Sequence, residues 1–579
     1  MASEFLFEFE IKDKDIAARI CKLKINGKEL ETPSLMPVYN PNKPLITPKE
    51  MKREFGCEIL MANSYIILKN EELRNNILRD GIHKFMNFNG IIATDSGSYQ
   101  LMEYGNITAT NKEIIEFQEK IGSDIGSFLD IPTLPNAYKP RALEQLKITL
   151  ERAREARNAK FLVNAGIQGS TYLDLREMAA REIGREFRLC AVGGIVRLME
   201  NYRFSDLVEI ISVIKRNIPI NRVVHAFGMG HPMAFSLSIA LGCDLFDSAA
   251  YALYAENFRY ITASGTKRLD ELEYLPCSCP VCSKYGLELK ELPERERVRE
   301  LARHNLYVSF EEINKIKEAI KENNLWEFLG MRCRAHPELL SGLKRLTEQK
   351  WLADLDPITK KSAFYLQGPE SKNRTEVVNV KKRLKRVYSE NRREVAPFGK
   401  IPAEISDVYP FNSFNSLREW GKKKNENKIE YKISDIEKIR KIMDYQFGSG
   451  AGELIADNVR IKRSRKTKRI RWIYEEKELI ASVRASDHFI IPKMPLAEKL
   501  HKRFKYPKLR VVIHDDAIPF VLEGKSVFAK FVEEIDPKLR ARDEVLIVDK
   551  NDKLLRTGTL ILSPREVVDF DRGIAVRVR

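Results

Sequence analysis

Residues 222–248 read RVVHAFGMGHPMAFSLSIALGCDLFDS and contain the repeating unit that decides the fold. The segment opens with a short apolar run at residues 222–226 and closes with a second run at residues 244–246, directly before Asp247. Short buried runs that are separated by longer connecting segments are typical of parallel strands joined by crossovers. Residues 222–248 therefore predict a β-crossover-β unit.

The same pattern occurs throughout the first ~250 residues. Eight strands are predicted, at residues 34–38, 58–62, 91–94, 126–129, 161–164, 189–192, 222–226 and 244–246. Charged segments with helical periodicity, such as residues 112–121 and 141–159, lie between most of them. Eight such units predict an α/β fold of the closed (β/α)8 type, a TIM barrel, over residues 1–346. An open doubly wound sheet would have a glycine-rich phosphate loop after an early strand, and none is evident.

Polar residues follow five of these strands, at the end of a barrel where active sites are built. They are Asp95, Asp130, Gln168, the pair Gly193-Gly194, and Asp247. Asp95 and Asp247 could divide the work at a sugar carbon, one as nucleophile and one as proton donor and acceptor. The alternative is that each aspartate caps a following helix.

The remaining polar positions suit recognition of a purine base. The Asp130 carboxylate can accept N1–H and N2–H of guanine, while the Gln168 amide and the Gly194 N–H can meet its acceptors. Tyr99 and Phe227 could stack on the two faces of the base. Taken singly, such residues are more often ordinary loop and core positions.

A cysteine cluster predicts a metal site. Cys277, Cys279, Cys282 and His304 supply the four ligands of tetrahedral zinc, and four protein ligands leave no open position, so one structural Zn²⁺ per chain is expected. A charged helix at residues 291–302 would bring His304 back to the thiols. The alternative is buried thiols and a surface histidine. Eight cysteines without a disulfide pattern, with no signal peptide and no membrane-spanning apolar run, predict the cytoplasm.

The charge balance predicts a polyanionic partner. The net charge is +17, and residues 460–471 read RIKRSRKTKRIR, with eight basic side chains and no acid. A second basic block covers residues 381–386, with Arg392 and Arg393 close behind. A merely Lys/Arg-rich surface, as in thermophiles, is the alternative. The predicted RNA contacts of the first block are Arg460, Lys462, Arg463, Arg465, Lys466 and Lys468.

The C-terminal part divides into two α+β segments, residues 347–428 and 429–506, and a small β-barrel module at residues 507–579. The last segment has β-type runs at residues 510–513, 527–532, 544–548 and 559–562, with turn signals between them.

Several motifs together resemble one family. They are Asp95-Ser-Gly-Ser-Tyr-Gln100, Gly166-Ile-Gln-Gly169, Val192-Gly-Gly-Ile195, His225-Ala-Phe-Gly-Met-Gly230, Phe246-Asp-Ser248 and the cysteine cluster. In order and spacing they resemble the tRNA-guanine transglycosylases. The segments Gly524-Lys-Ser-Val-Phe-Ala529 and Asp543-Glu-Val-Leu-Ile-Val548 resemble a PUA RNA-binding domain. A barrel, a long insert and a PUA domain resemble the archaeal, archaeosine-forming branch of the family.

The resemblance implies roles for these residues. Asp247 matches the nucleophile at ribose C1′, and Asp95 the general acid/base. The base-binding positions are Ser96, Tyr99, Asp130, Gln168, Gly193, Gly194, Ile195, Val196 and Phe227. In the PUA-like module, Lys525, Lys530 and Arg556 are the candidate phosphate contacts; the alternative for each is a solvated surface residue.

The implied reaction replaces a guanine of the tRNA D arm, at position 15, with 7-cyano-7-deazaguanine (preQ0). Bulky Ile195 and Val196 would favour the slim cyano group over an aminomethyl group. The resemblance also implies a homodimer and no membrane partner. Three alternatives remain: a non-catalytic tRNA-binding paralogue or subunit, a nucleoside hydrolase, and a bacterial-type queuine/preQ1 exchange.

Overall fold

The computed structural model describes residues 6–98, 109–415 and 432–579, which form two compact units. The first unit contains residues 17–320 and 328–346 with the N-terminal strand, and the second contains residues 347–579 with two short earlier segments. None of the helices within the described ranges combines the length and apolarity that crossing a bilayer would require. Tyr99 and Gln100 of the first motif lie outside the described residues.

Eight parallel strands form the core of the first unit, which confirms the predicted barrel. They are Ser34–Pro37, Ile59–Asn63, Ile91–Asp95, Ile125–Gly126, Leu162–Ile167, Leu189–Val192, Val223–Ala226 and Leu245–Ser248. Each strand pairs with its neighbour in chain order, and the last pairs with the first. A parallel bridge between Val38 and Met61 links the first strand to the second, so that the ring of strands closes. All carboxyl ends therefore lie at one mouth of the barrel.

Helices alternate with the strands because their sequences carry both an apolar face and capping residues. In Asn111–Ile121, for example, Thr110 and Glu113 form a capping box and Gly122 ends the helix with φ of 79°. The principal helices between barrel strands are Pro48–Phe55, Ser64–Lys69, Glu71–Asp80, Ile82–Met86, Asn111–Ile121, Lys139–Glu155, Leu173–Glu186, Val196–Glu200, Phe204–Asn217 and Pro232–Ala240.

Two features of this unit differ from the sequence prediction. Phe7–Asp15, Ala18–Ile25 and Lys28–Thr32 form a three-stranded sheet ahead of the barrel that was not predicted. The predicted helix at residues 291–302 is part of a longer helix, Glu294–Glu322, which carries His304 within it. The 29 residues of this helix hold a continuous buried face, so nothing in the sequence ends it at residue 302.

The rest of the first unit follows the last barrel strand. It comprises helix Ala250–Glu256, the hairpin Arg259–Thr262 and Gly265–Arg268, and helices Pro280–Tyr285, Glu294–Glu322, Leu325–Cys333 and Pro337–Thr347. Residues from the cysteine region, such as Val281, Cys282 and Leu289, pack in one apolar cluster with Met51 and Tyr251. This packing attaches the cysteine lobe to the barrel.

Among its described residues, the second unit contains four sheets and several helices. Its helices include Leu352–Leu355, Thr375–Leu384, Asp435–Phe447, Met494–Arg503, Ile518–Leu522 and Pro564–Asp569. Two of the sheets are two-stranded: Phe364–Tyr365 pairs with Phe414–Asn415, and Arg392–Val395 pairs with Gly399–Pro402. A four-stranded sheet consists of Arg460–Arg463, Ile470–Glu475, Glu478–Val483 and Ile490–Pro492. A six-stranded sheet consists of Arg510–Ile513, Val527–Phe528, Val532–Ile535, Glu544–Val548, Leu554–Leu560 and Ile574–Val578. The predicted boundaries near residues 346, 428 and 506 stay predictions.

Candidate active site and metal centre

A cavity of about 520 Å³ opens at the carboxyl ends of the barrel strands. Eight of the predicted site residues line it together: Asp95, Asp130, Gln168, Gly193, Gly194, Val196, Phe227 and Asp247. They come from strands that are far apart in sequence, and barrel closure brings them to one place. Ser96 and Ile195 are fully buried and are not among the lining residues.

Asp247 lies one residue before the end of the last barrel strand, and hydrogen bonds hold one oxygen of its carboxylate. Its Oδ1 atom accepts a hydrogen bond from His225 Nε2 at 2.8 Å and from the Gly228 N–H at 2.5 Å. Gly228 reaches this position with φ of 79°, a conformation that favours glycine. Asp247 lines the cavity, and within the described residues its Oδ2 atom has no hydrogen-bond partner.

His225 and Gly228 were not given roles by sequence reasoning. His225 is fully buried, and its Nδ1 atom lies 3.3 Å from Asn164 Oδ1. Both residues belong to the motif His225-Ala-Phe-Gly-Met-Gly230, so the signal was present, but only the fold brings this strand end to Asp247. Apolar strands rarely bury a histidine without a partner, and that rule could have singled it out.

Asp95 ends the third barrel strand and is only partly exposed. Burial, together with the negative charges of Asp130 and Asp247, raises its pKa to about 7. The Asn63 Nδ2 group donates to Asp95 Oδ2 at 3.1 Å, and the Ser64 hydroxyl donates to the Asp95 backbone carbonyl at 2.7 Å. A carboxyl group that titrates near neutral pH can both give and take a proton at that pH.

Asp130 and Gln168 form a hydrogen-bonded pair in the lining of the same cavity. Gln168 Nε2 donates to Asp130 Oδ2 at 2.6 Å, and burial raises the pKa of Asp130. Gln168 Oε1 is buried and has no partner within the described residues. An orphaned acceptor beside a carboxylate is what a base with several N–H donors would satisfy.

Two glycines make room for this pair. A Cβ atom on Gly166 would lie 2.4 Å from Asp130 Oδ2, and one on Gly193 would lie 2.2 Å from Gln168 Nε2. A side chain at either position would displace Asp130 or Gln168, so the two glycines let this pair keep its observed geometry. The Arg176 guanidinium donates hydrogen bonds to the backbone carbonyls of Ser170 at 2.8 Å and Gly193 at 2.9 Å, and so connects the same loops. Sequence reasoning missed this residue.

The four predicted metal ligands come together in the cysteine lobe. One ligand atom from each of Cys277, Cys279, Cys282 and His304 lies within 4.8 Å of all the others. His304 Nδ1 is 3.4 Å from Cys279 Sγ and 3.3 Å from Cys282 Sγ. His304 Nε2 lies 2.9 Å from the Ile261 carbonyl and donates a hydrogen bond to it, so Nδ1 carries the lone pair that can bind a metal. Edges of this length and a three-sulfur, one-nitrogen donor set fit tetrahedral zinc.

All six predicted RNA-contact residues of the first basic block are exposed, and three of them also make side-chain contacts within the protein. Arg465, Lys466 and Lys468 are exposed at the tip between two strands of the four-stranded sheet. Arg460 and Lys462 lie over the Tyr474 ring at 4.6 and 5.0 Å, whereas Arg463 forms an ion pair with Asp435.

Lys525 and Lys530 are exposed on the six-stranded sheet module. Lys525 pairs with Glu523 at 2.9 Å, and Lys530 lies over the Phe531 ring at 4.8 Å. Phe520 and Phe528 are about half exposed. Exposed aromatic rings among basic side chains are typical of RNA-binding surfaces.

Comparison with known proteins identifies the family. The family model described as Queuine tRNA-ribosyltransferase matches residues 13–338. The patch-forming domain C2 of tRNA-guanine transglycosylase matches residues 437–507, and the PUA domain matches residues 509–579.

Curated relatives extend over the whole chain. A protein of Pyrococcus furiosus named tRNA-guanine(15) transglycosylase is 49% identical over 99% of this chain and 98% of its own length. Proteins with the same name from Thermococcus kodakarensis and Methanococcus aeolicus are 47% and 43% identical, each over 99% of both chains. The resemblance seen in the motifs is thereby confirmed, and the chain belongs to the tRNA-guanine transglycosylase family.

Proposed function

We propose that this protein exchanges guanine 15 of tRNA for preQ0 by double displacement through a covalent tRNA–aspartate intermediate. The main support is that one cavity holds both an oriented carboxylate, Asp247, and a second carboxyl group, Asp95, whose pKa is raised to about 7. The position in the tRNA is taken from the names of the full-length relatives. Those names also favour this reaction over a bacterial-type exchange.

In the first step, Asp247 Oδ2 attacks ribose C1′ and the glycosidic bond to N9 of guanine breaks. His225 and Gly228 hold Oδ1, so the attacking oxygen is the one with open lone pairs. Protonated Asp95 gives its proton to the departing base, which leaves neutral. The products are an aspartyl ester at C1′ and free guanine.

In the second step, the incoming base loses its N9 proton to ionised Asp95, and N9 attacks C1′. The ester bond to Asp247 breaks, and both carboxyl groups return to their starting states. Water would hydrolyse the ester instead, so the cavity must be closed by the RNA and the base during exchange.

Asp130, Gln168 and the backbone of Gly193 and Gly194 would bind the base edge that guanine and preQ0 share. The Asp130 carboxylate accepts N1–H and N2–H, which replaces its bond to Gln168 and frees that amide for the base. Phe227 lies in the lining and can cover one face of the ring. These roles distinguish a deazaguanine from adenine or a pyrimidine.

Val196 is the lining residue of the Ile195-Val196 pair, so we assign it the discrimination at the seven-position. Its Cγ2 atom packs against Gly228, at 2.3 Å from where a Cβ atom on that glycine would lie. Val196→Ala would enlarge the cavity and raise incorporation of an aminomethyl base relative to preQ0. Competition between the two labelled bases measures this ratio.

The Cys277, Cys279, Cys282 and His304 group would hold one structural zinc ion. A bound Zn²⁺ would stabilise the lobe by cross-linking helix Glu294–Glu322 to the loop of residues 277–282. It takes no part in the exchange, because the four ligands leave no open position.

Labelled guanine exchange tests the whole proposal. Transcripts with guanine at position 15 should release it and take up preQ0, and transcripts with adenine there should not. Asp247→Ala should abolish the covalent adduct on a denaturing gel. An adduct that survives this change would rule out Asp247 as the nucleophile.

A further inference from the structure

A second cavity, of about 910 Å³, lies within the C-terminal unit between residues 384–392 and residues 448–453. Five basic side chains line it, against the two acidic side chains Asp444 and Glu453; they are Lys385, Arg386, Arg392, Arg440 and Lys441. It is far along the chain from every residue assigned to the exchange reaction. Because basic side chains outnumber acidic ones in its lining, the electrostatic potential in this cavity is positive and favours an anion.

The acidic side chains offset only part of this charge, with Lys441 acting electrostatically on Asp444. Asp444 accepts the Gly452 N–H at 2.9 Å, and Glu453 pairs with Arg503 at 3.2 Å. Lys385 and Lys441 have no hydrogen bond or ion pair among the described residues. At least two cations are therefore available to a ligand.

The glycine-rich loop brings further positive charge close to the backbone. Gly448 and Gly450 have φ of 129° and 83°. A Cβ atom at these positions would lie 2.2 Å from Lys508 Nζ and 2.2 Å from Arg503 Nη2, respectively. Burial and the neighbouring positive charge of Arg386 lower the pKa of Lys508 to about 8. A bound anion would relieve this crowding of like charges.

An exposed aromatic ring borders the same cavity. Tyr388 lines it and is 74% exposed, so its ring is accessible to a ligand. Tyrosine rings beside cationic side chains are how proteins hold unpaired nucleotides, with the base on the ring and the phosphate on the cations. A paired duplex keeps its base faces stacked and could not use the ring.

The structure also divides the basic block at residues 381–386 by role. Arg383 is buried and donates to both carboxylate oxygens of Asp543, at 2.7 and 2.9 Å, so it is structural. Lys385 and Arg386 instead line the cavity. The block therefore combines a structural ion pair with two cations that face a ligand.

We propose that this cavity binds a backbone phosphate of the tRNA at an unpaired nucleotide, whose base stacks on Tyr388. The inference rests on tRNA as the substrate in the proposed function. This cavity would be an RNA contact separate from the barrel mouth and from the predicted contacts of residues 460–468.

A salt titration tests the phosphate contact. The full-length double variant Lys385→Gln/Lys441→Gln should bind a tRNA transcript about 10-fold more weakly at low salt, and its slope of log affinity against log salt should be shallower by about one. The matched control is Lys147→Gln, an exposed change on helix Lys139–Glu155 of the barrel. Equal affinity and slope for the double variant and the control would overturn the proposal.

A second pair of variants tests the stacking contact. Tyr388→Ala should weaken tRNA binding about 10-fold, and Tyr388→Phe, which keeps the ring, should not. An equal loss for a fully paired RNA hairpin would refute the unpaired nucleotide. Guanine exchange by the unaltered chain is measured separately: if it is absent while the variants lose binding, the exchange reaction fails and the phosphate site stands.

Discussion

The pKa of Asp95 leads to the sharpest prediction. Release of guanine from tRNA should depend on the protonated form of this residue, because the departing base needs a proton. Burial and the charges of Asp130 and Asp247 raise its pKa from 3.8 to about 7. The rate of guanine release should therefore fall as the pH rises through about 7.

The size of the effect follows from the shift. About three pKa units correspond to roughly 4 kcal/mol of preference for the neutral form. At pH 7 about half of the Asp95 groups carry a proton, whereas an ordinary aspartate would carry one in fewer than about one molecule in a thousand. The raised pKa thus increases the amount of active acid several-hundred-fold at neutral pH. Above about pH 7 the rate should drop roughly tenfold per pH unit.

Single-turnover release of labelled guanine, followed from about pH 5.5 to pH 9, measures this dependence. Asp95→Asn should remove release at every pH, and Asp130→Asn should shift the inflection to lower pH by taking away one repelling charge. A rate that stays constant between about pH 6 and 9, or an inflection near the ordinary aspartate value, would refute the reasoning.

Four further predictions follow from single contacts. Asp95→Asn should raise the melting temperature at pH 8 and leave it unchanged near pH 3, because a folded-state pKa raised above 3.8 costs stability as the pH increases toward about 7. His225→Ala should slow formation of the covalent adduct by about 10- to 100-fold with little change in KM for tRNA, since it removes one charge-assisted hydrogen bond to Asp247; an unchanged rate would contradict the positioning role. Gly166→Ala should weaken guanine binding at least about 10-fold while tRNA affinity stays the same, because the added Cβ displaces Asp130; calorimetry with guanine checks this. His304→Ala should lose one equivalent of zinc by elemental analysis and lower the melting temperature, and a variant that kept its metal would exclude the predicted ligand set.

Much of the first unit could be predicted because its signals are local. Each barrel strand is a short apolar run, and the predicted runs at residues 189–192 and 222–226 agree with the observed strands to within one residue. The N-terminal sheet was missed because its strands mix charged and apolar residues, as in Phe7–Asp15, and depend on pairing with one another. The helix around His304 was ended too early because its charged sequence conceals a buried face.

The sequence by itself determined which residue types stand at the strand ends and that three thiols and an imidazole are spaced as metal ligands. Only the tertiary structure decided which oxygen of Asp247 is free, why the Asp95 carboxyl group titrates near neutral pH, and that Val196 rather than Ile195 lines the cavity. It also decided that Arg383 is neutralised by Asp543, 160 residues away, while Lys385 faces a cavity. The reason is physical: hydrogen bonds and charge–charge energies depend on distances through space, and closing a barrel brings together groups that the chain keeps far apart.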